Sequence, residues 1–294
     1  MDVHVEPTQK EATGMNATSQ EQELVAQKVF SRVLVGIDGS EESREAARQA
    51  ATLTDGELTL LSVYDIASAL VGGTGFGVPV YYDEDVQRTS AEDALRQALE
   101  DVEAATPTGK IAKGVAWDAL IDEAERRENT LIAVGSHGRG RMAGIVMGSV
   151  ATEMIHKAPC SVLVARKRSN AFPHKIVVGI DGSPQSLAAY AVAKDLAERF
   201  ETELAPVRAH GGKQVEQGVV DQFVGHFREE LPDDPVTALI AASADADLLV
   251  VGSRGLHGVK SLGSVSERVA HQARCSVLIV RESSSHSIDE ERHP

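Results

Sequence analysis

The chain is poor in cysteine, in cations and in long apolar runs. Two cysteines in 294 residues, Cys160 and Cys275, exclude a disulfide framework and offer no metal-ligand spacing. Both read as buried packing residues. No apolar stretch approaches the ~20 residues that span a bilayer. Residues 1–22 are polar and acidic and lack the apolar centre of a signal peptide, so a cytoplasmic location is expected. Lys and Arg number 29 against 44 Asp and Glu, a formal net charge of −15. That argues against nucleic-acid or membrane-surface partners, which need a basic face. An anionic ligand stays open, because a phosphate site is local.

Catalytic signatures are absent too. There is no Gly-x-Ser-x-Gly elbow, and neither cysteine stands beside a histidine in a motif. The acidic pairs Glu92/Asp93 and Glu229/Glu230 are sequence neighbours, which diverge on a helix or strand and read as solvated faces. The glycine-rich stretch discussed below lacks the Gly-Lys-Ser/Thr of a Walker A loop.

What is present is an internal repeat. Val33-Leu-Val-Gly-Ile-Asp-Gly-Ser40 matches Ile176-Val-Val-Gly-Ile-Asp-Gly-Ser183, and Val134-Gly-Ser-His-Gly138 matches Val251-Gly-Ser-Arg-Gly255. Gly148-Ser-Val150 matches Gly263-Ser-Val265, and Cys160-Ser-Val-Leu163 matches Cys275-Ser-Val-Leu278. Four blocks recur in one order. The offset falls from 143 residues at Asp38/Asp181 to 117 at Gly135/Gly252 and 115 at Gly148/Gly263. The second copy is therefore shortened between its first two blocks, and again by two residues in the glycine loop. The expected organisation is a largely disordered tail (1–30), a first domain (31–168), a shortened second domain (173–282) and a disordered tail (283–294).

Short β-branched runs alternate with amphipathic segments, the pattern of a parallel sheet with right-handed helical crossovers. Strands are expected at 31–37, 57–64, 110–115, 130–135 and 161–165, with helices at 41–53, 84–104, 117–127 and 149–157. Four glycines and a proline mark 69–82 as a loop. The second copy repeats this with strands at 175–180, 203–209, 247–252 and 276–280 and helices at 186–200, 235–244 and 264–272.

In the first copy, two residues separate Gly135 from Gly138, nine separate Gly138 from Gly148, and Ser149 follows. Gly135 ends a strand and Ser149 opens a helix. Ligands of open parallel sheets sit beyond the carboxyl ends of strands, glycines let backbone amides approach a phosphate, and a helix N-terminus adds free N–H groups and a positive dipole end. This spacing, with Asp38 in the turn after the first strand, resembles the ATP-binding type of universal stress protein. The resemblance covers about residues 31–166 and 174–281.

The resemblance implies two tandem α/β, doubly wound, Rossmann-like domains. Each would have a five-stranded parallel sheet of order 3-2-1-4-5. It implies that Asp38, with Gly36 beside it, faces the adenine and ribose, that Val63 contacts the base, and that Gly135, Gly138, Gly148, Ser149 and Val150 line the ribose and phosphates. His137, Arg139 and Arg141 lie in the loop, where they either screen phosphate charge or are ordinary solvated loop cations. An Asp in a strand-ending turn otherwise serves as a helix cap. The second copy keeps Asp181, Gly252, Gly255, Gly263 and Ser264. Only seven residues separate Gly255 from Gly263, and Ala209 stands where the first copy has Val63, so nucleotide binding there stays open.

The expected function is that of an adenine-nucleotide-binding stress-response module, with ATP as ligand and Mg²⁺ on its phosphates. Any hydrolysis would be slow and incidental. The alternative is a nucleotide-free scaffold on the same fold. The two copies are expected to dock through their apolar fifth strands, because an uncovered apolar edge is an aggregation hazard and residues 167–173 form a short link. That makes one chain a pseudo-dimer and leaves room for a homodimer of chains.

Overall fold

The computed structural model describes residues 29–65, 83–138, 147–167, 172–207, 234–253 and 264–281. Residues 1–28 and 282–294, the 69–82 loop, Arg139, Arg141, Ala209, Gly255 and Gly263 lie outside the described residues, and the expected tail boundary at residue 30 is corrected by Phe30, whose side chain is buried in the core. Among the described residues, nine strands form one sheet of order β3-β2-β1-β4-β5-β9-β8-β6-β7. They are β1 Arg32–Ile37, β2 Glu57–Tyr64, β3 Thr108–Lys113, β4 Leu131–Gly135, β5 Ser161–Ala165, β6 Lys175–Gly179, β7 Glu203–Val207, β8 Leu248–Gly252 and β9 Ser276–Val280. The helices are α1 Glu41–Leu53, α2 Glu84–Asp101, α3 Ala116–Arg126, α4 Ser149–Lys157, α5 Pro184–Arg199, α6 Pro235–Ala242 and α7 Ser264–Gln272.

The first copy has the expected 3-2-1-4-5 order. The described part of the second copy has four strands, equivalent to 2-1-4-5; the stretch where a third would fall, 208–233, is outside the described residues. Several boundaries lie one to three residues from the sequence reading, two of them with a clear cause. The third strand lies at Thr108–Lys113 rather than 110–115, because it is paired residue for residue with β2 from Thr59↔Thr108 to Tyr64↔Lys113 and ends where β2 ends. Helix α2 stops at Asp101 rather than 104, and the chain tightens into a 3₁₀ turn, Glu103–Ala105.

The halves meet at β5 and β9, which pair antiparallel with Val162 opposite Ile279, Leu163 opposite Leu278 and Val164 opposite Val277. Leu163 and Leu278 are equivalent positions of the repeat, so an approximate two-fold axis passes through that pair. The expected docking of fifth strands takes this form.

Alternation along the strands splits the interior into two layers. On one face of the sheet the core contains Val33 and Val35 of β1, Ala46, Ala50 and Leu53 of α1, Leu95 of α2, and, in the second half, Ile176 and Val178 of β6 with Leu196 of α5. The other packs Leu34, Ile132 and Val277 against Leu120 of α3, Met154 of α4, Leu239 of α6 and Val269 of α7. Both layers run through both halves. Among the described residues no helix is long and apolar enough to cross a membrane.

Candidate functional site

In the first half the strand order reverses between β1 and β4, which opens a crevice at their carboxyl ends. One wall is the turn after β1. Gly39 takes φ 82°, a left-handed value that the equivalent Gly182 shares at φ 75°. Asp38 Oδ1 accepts from the Ser40 amide at 2.9 Å and from Ser40 Oγ at 2.5 Å. Ser40 Oγ in turn accepts from the Ser43 amide at 3.1 Å, capping α1. Asp181, Ser183 and Ser186 repeat this network at the start of α5. So Asp38 holds the capping Ser40 in place, as its twin holds Ser183, whatever else it binds.

The twins differ in their surroundings. Asp38 is half-buried and Asp181 is exposed. In the first half the chain after β4 crosses Asp38: a Cβ on Gly138 would lie 2.5 Å from Asp38 Oδ2, and Ser40 Oγ donates to the His137 carbonyl at 3.4 Å. Gly135 has a different reason to be glycine. A Cβ there would meet the backbone of α1 at Glu42 C, 2.7 Å, and Ser43 N, 2.8 Å. Its twin Gly252 is equally pressed against the Gln185 carbonyl of α5. That glycine is a helix-on-strand packing requirement common to both halves.

The opposite wall is α4. Its N-cap Gly148 makes no side-chain cap, and its first turn carries no acid, while His156 and Lys157 stand in its last turn. By contrast α1, α2, α5 and α6 are capped by Ser40, Asp83, Ser183 and Asp234. An uncapped N-terminus leaves amides and the positive dipole end directed at the crevice. The Gly148 amide donates to the Ser136 carbonyl at 2.7 Å and fixes where the helix begins.

Between these walls lies a cavity of about 610 Å³, within the range of small-molecule sites. Gly36, Asp38, Val63, Gly135, His137, Gly138, Gly148, Ser149 and Val150 all line it. Every first-half residue singled out in the sequence therefore converges there, Arg139 and Arg141 lying outside the described residues. His137 Nδ1 is 3.1 Å from Ser136 Oγ. Its lining combines apolar side chains, Leu61, Val63, Leu120, Val134 and Met147, with polar ones, Asp38, Ser149, Thr152 and Glu153. Leu61, Leu120 and Met147 were missed in the sequence, where apolar residues at strand or helix spacing read as core. In the second half Asp181 and Gly252 hold equivalent positions, and Ser264 opens α7.

Both cysteines are buried, and neither is part of a disulfide. Burial pushes the Cys160 thiol up to about 12, so it stays protonated and unreactive near neutral pH.

The universal stress protein family model matches residues 30–166 and 213–281. A universal stress protein of Mycobacterium tuberculosis is 31% identical to this chain, covering 85% of it and 97% of the relative. A second from the same organism is 30% identical over 85% and 96%. The crystal structure of a universal stress protein from Archaeoglobus fulgidus covers 87% of this chain and 98% of its own, with a TM-score of 0.67 at 21% identity.

Proposed function

The chain belongs to the universal stress protein family, and from that premise we propose that its first half binds ATP and acts as a nucleotide-binding stress-response or signalling module. The observation that carries this reading is the cavity at the β1/β4 switch point. Its lining brings together apolar side chains, suited to a planar base, and an uncapped helix N-terminus, suited to phosphate. The adenine lies against Val63 and Leu120, the ribose beside Asp38, and the phosphates reach the amides of Gly138 and the first turn of α4. Mg²⁺ enters with the phosphates.

Hydrolysis is incidental in this reading. A general base needs position and an orienting partner. Asp38 Oδ1 is committed to the Ser40 cap, and Glu153 pairs with Lys157 at 2.9 Å. Turnover should stay well below ~1 s⁻¹, the low end of ordinary enzyme values.

The test is calorimetric. Saturation at 100 times the dissociation constant stabilises a native state by about 2.7 kcal/mol, so millimolar ATP should raise the melting temperature measurably. Gly138→Val, which fills the space beside Asp38 Oδ2, should abolish that rise while leaving the ligand-free melting temperature nearly unchanged. An identical melting curve with and without ATP, ADP and AMP, from protein carrying no nucleotide through purification, would sink the proposal.

A further inference from the structure

Helix α4 has nine residues, about 13 Å of helix, and its two ends face different things. Its N-terminus opens the first-half cavity through Gly148, Ser149 and Val150. Its C-terminus meets the second half. Arg281, the residue after β9, donates from Nη2 to the Ile155 carbonyl at 2.6 Å and from Nη1 to the Ala158 carbonyl. Its backbone amide donates to Ser161 Oγ, at the start of β5, at 3.1 Å. The guanidinium thus takes two carbonyls at the negative end of the helix that presents its positive end to the cavity.

The pseudo-two-fold axis produces a related arrangement, the same in its first carbonyl and different in its second. Arg166, after β5, donates from Nη2 to the Ala270 carbonyl at 2.5 Å and from Nη1 to the Cys275 carbonyl at 3.2 Å. Its amide donates to Ser276 Oγ at 3.0 Å. Each half therefore grips the last turn of the other half's loop-following helix. The contact between α4 and the second half is reinforced by His156 Nε2, 3.4 Å from Glu267 Oε1 of α7.

We propose that Arg281 is a positioning residue for the first-half cavity: the second half, through this one side chain, holds the anion-facing end of α4 in place. A nine-residue helix is held mostly by tertiary packing rather than by its own propensity, so releasing its last turn loosens its first. The coupling is reciprocal: a ligand at the α4 N-terminus tightens the grip of Arg281. The second half thereby serves the first-half site irrespective of any ligand of its own. The inference rests on the reading of that cavity as the nucleotide site.

The symmetry supplies its own control. Arg281→Met and Arg166→Met remove equivalent interface arginines, but only Arg281 reaches α4. In the ligand-free full-length chain, hydrogen exchange should accelerate at the α4 amides in Arg281→Met and at the α7 amides in Arg166→Met. By titration calorimetry, Arg281→Met should weaken ATP binding about tenfold, within the usual size of an allosteric coupling, and Arg166→Met should leave it unchanged. Arg281→Lys keeps the charge but not the two-pronged geometry and should fall between wild type and Met, which keeps the test open if the Met variant folds poorly. Equal loss of affinity in the two Met variants would reduce the effect to general destabilisation and overturn the proposal. Unchanged α4 exchange in both Arg281 variants would overturn it as well. If wild type itself bound no ATP, the nucleotide reading would fall, and the ligand-free exchange would still decide whether Arg281 positions α4.

Discussion

Two glycines three residues apart have unlike duties. Gly135 is glycine because α1 lies against it: both nearest atoms to a Cβ there belong to the α1 backbone, and a backbone cannot swing aside. Gly138 is glycine because Asp38 Oδ2 lies against it, at the end of a short side chain rather than in a backbone. Gly135→Ala should therefore lower the melting temperature with or without nucleotide, at about 1–3 kcal/mol for overpacking. Gly252→Ala should do the same in the second half. Gly138→Val should act on ligand binding and spare the fold. Scanning calorimetry of the three variants with and without ATP separates packing glycines from a site glycine; a normal ligand-free melting temperature for Gly135→Ala would contradict this division.

Among the elements, α2 is tied to α1 by charge at its C-terminal end. Asp101 accepts from Arg44 Nε at 2.8 Å and Nη2 at 2.9 Å, and from Arg48 Nη1 at 2.8 Å. The hydrogen bond from Arg44, aided by its charge and that of Arg48, holds the Asp101 carboxyl below its ordinary value. A carboxylate with a depressed folded pKa stabilises above its unfolded pKa, near ~3.9, and loses that contribution as pH falls through the lower folded value. Wild type should therefore exceed Asp101→Asn by about 1 kcal/mol, the upper end for accessible pairs, at neutral pH. The gap should begin to narrow below about pH 4 and shrink further as pH falls toward the lower folded value. Urea titrations at pH 7 and pH 3 measure it, and a gap independent of pH would exclude the carboxylate as its source.

At the scale of the whole molecule, the two copies share one sheet and two apolar layers. The β5–β9 ladder is buried on both faces, with all five residues of each strand buried. Separating the halves would expose Leu163 and Leu278 on one face and Val162, Val164, Val277 and Ile279 on the other. At roughly 1.5–3 kcal/mol for each large apolar side chain, that cost is of the order of a domain's whole stability. The chain should unfold in one cooperative transition, with a van't Hoff enthalpy close to the calorimetric one. Two resolved transitions would show that the halves are independent bodies.

Local chemistry made several features legible in the sequence. The Asp-Gly-Ser turns, the five-residue apolar strands and the helix starting at Ser149 depend on neighbouring residues alone, so α1, β2, α4, β5, α7 and β9 fall where the pattern places them. The glycine spacing marked residues that meet at one cavity, because strand ends and helix starts on the same edge of a parallel sheet must converge. Three things were decided by the tertiary structure. One is the register that puts Leu163 against its own equivalent, since apolar strands of uniform pattern carry little register information. Another is the cavity's apolar wall, where Leu61 and Leu120 have the same periodicity as residues of the core. The last is the role of Arg166 and Arg281. Each follows its repeat's Cys-Ser-Val-Leu block by three residues, yet the carbonyls that solvate them come together only when two distant edges of the chain meet.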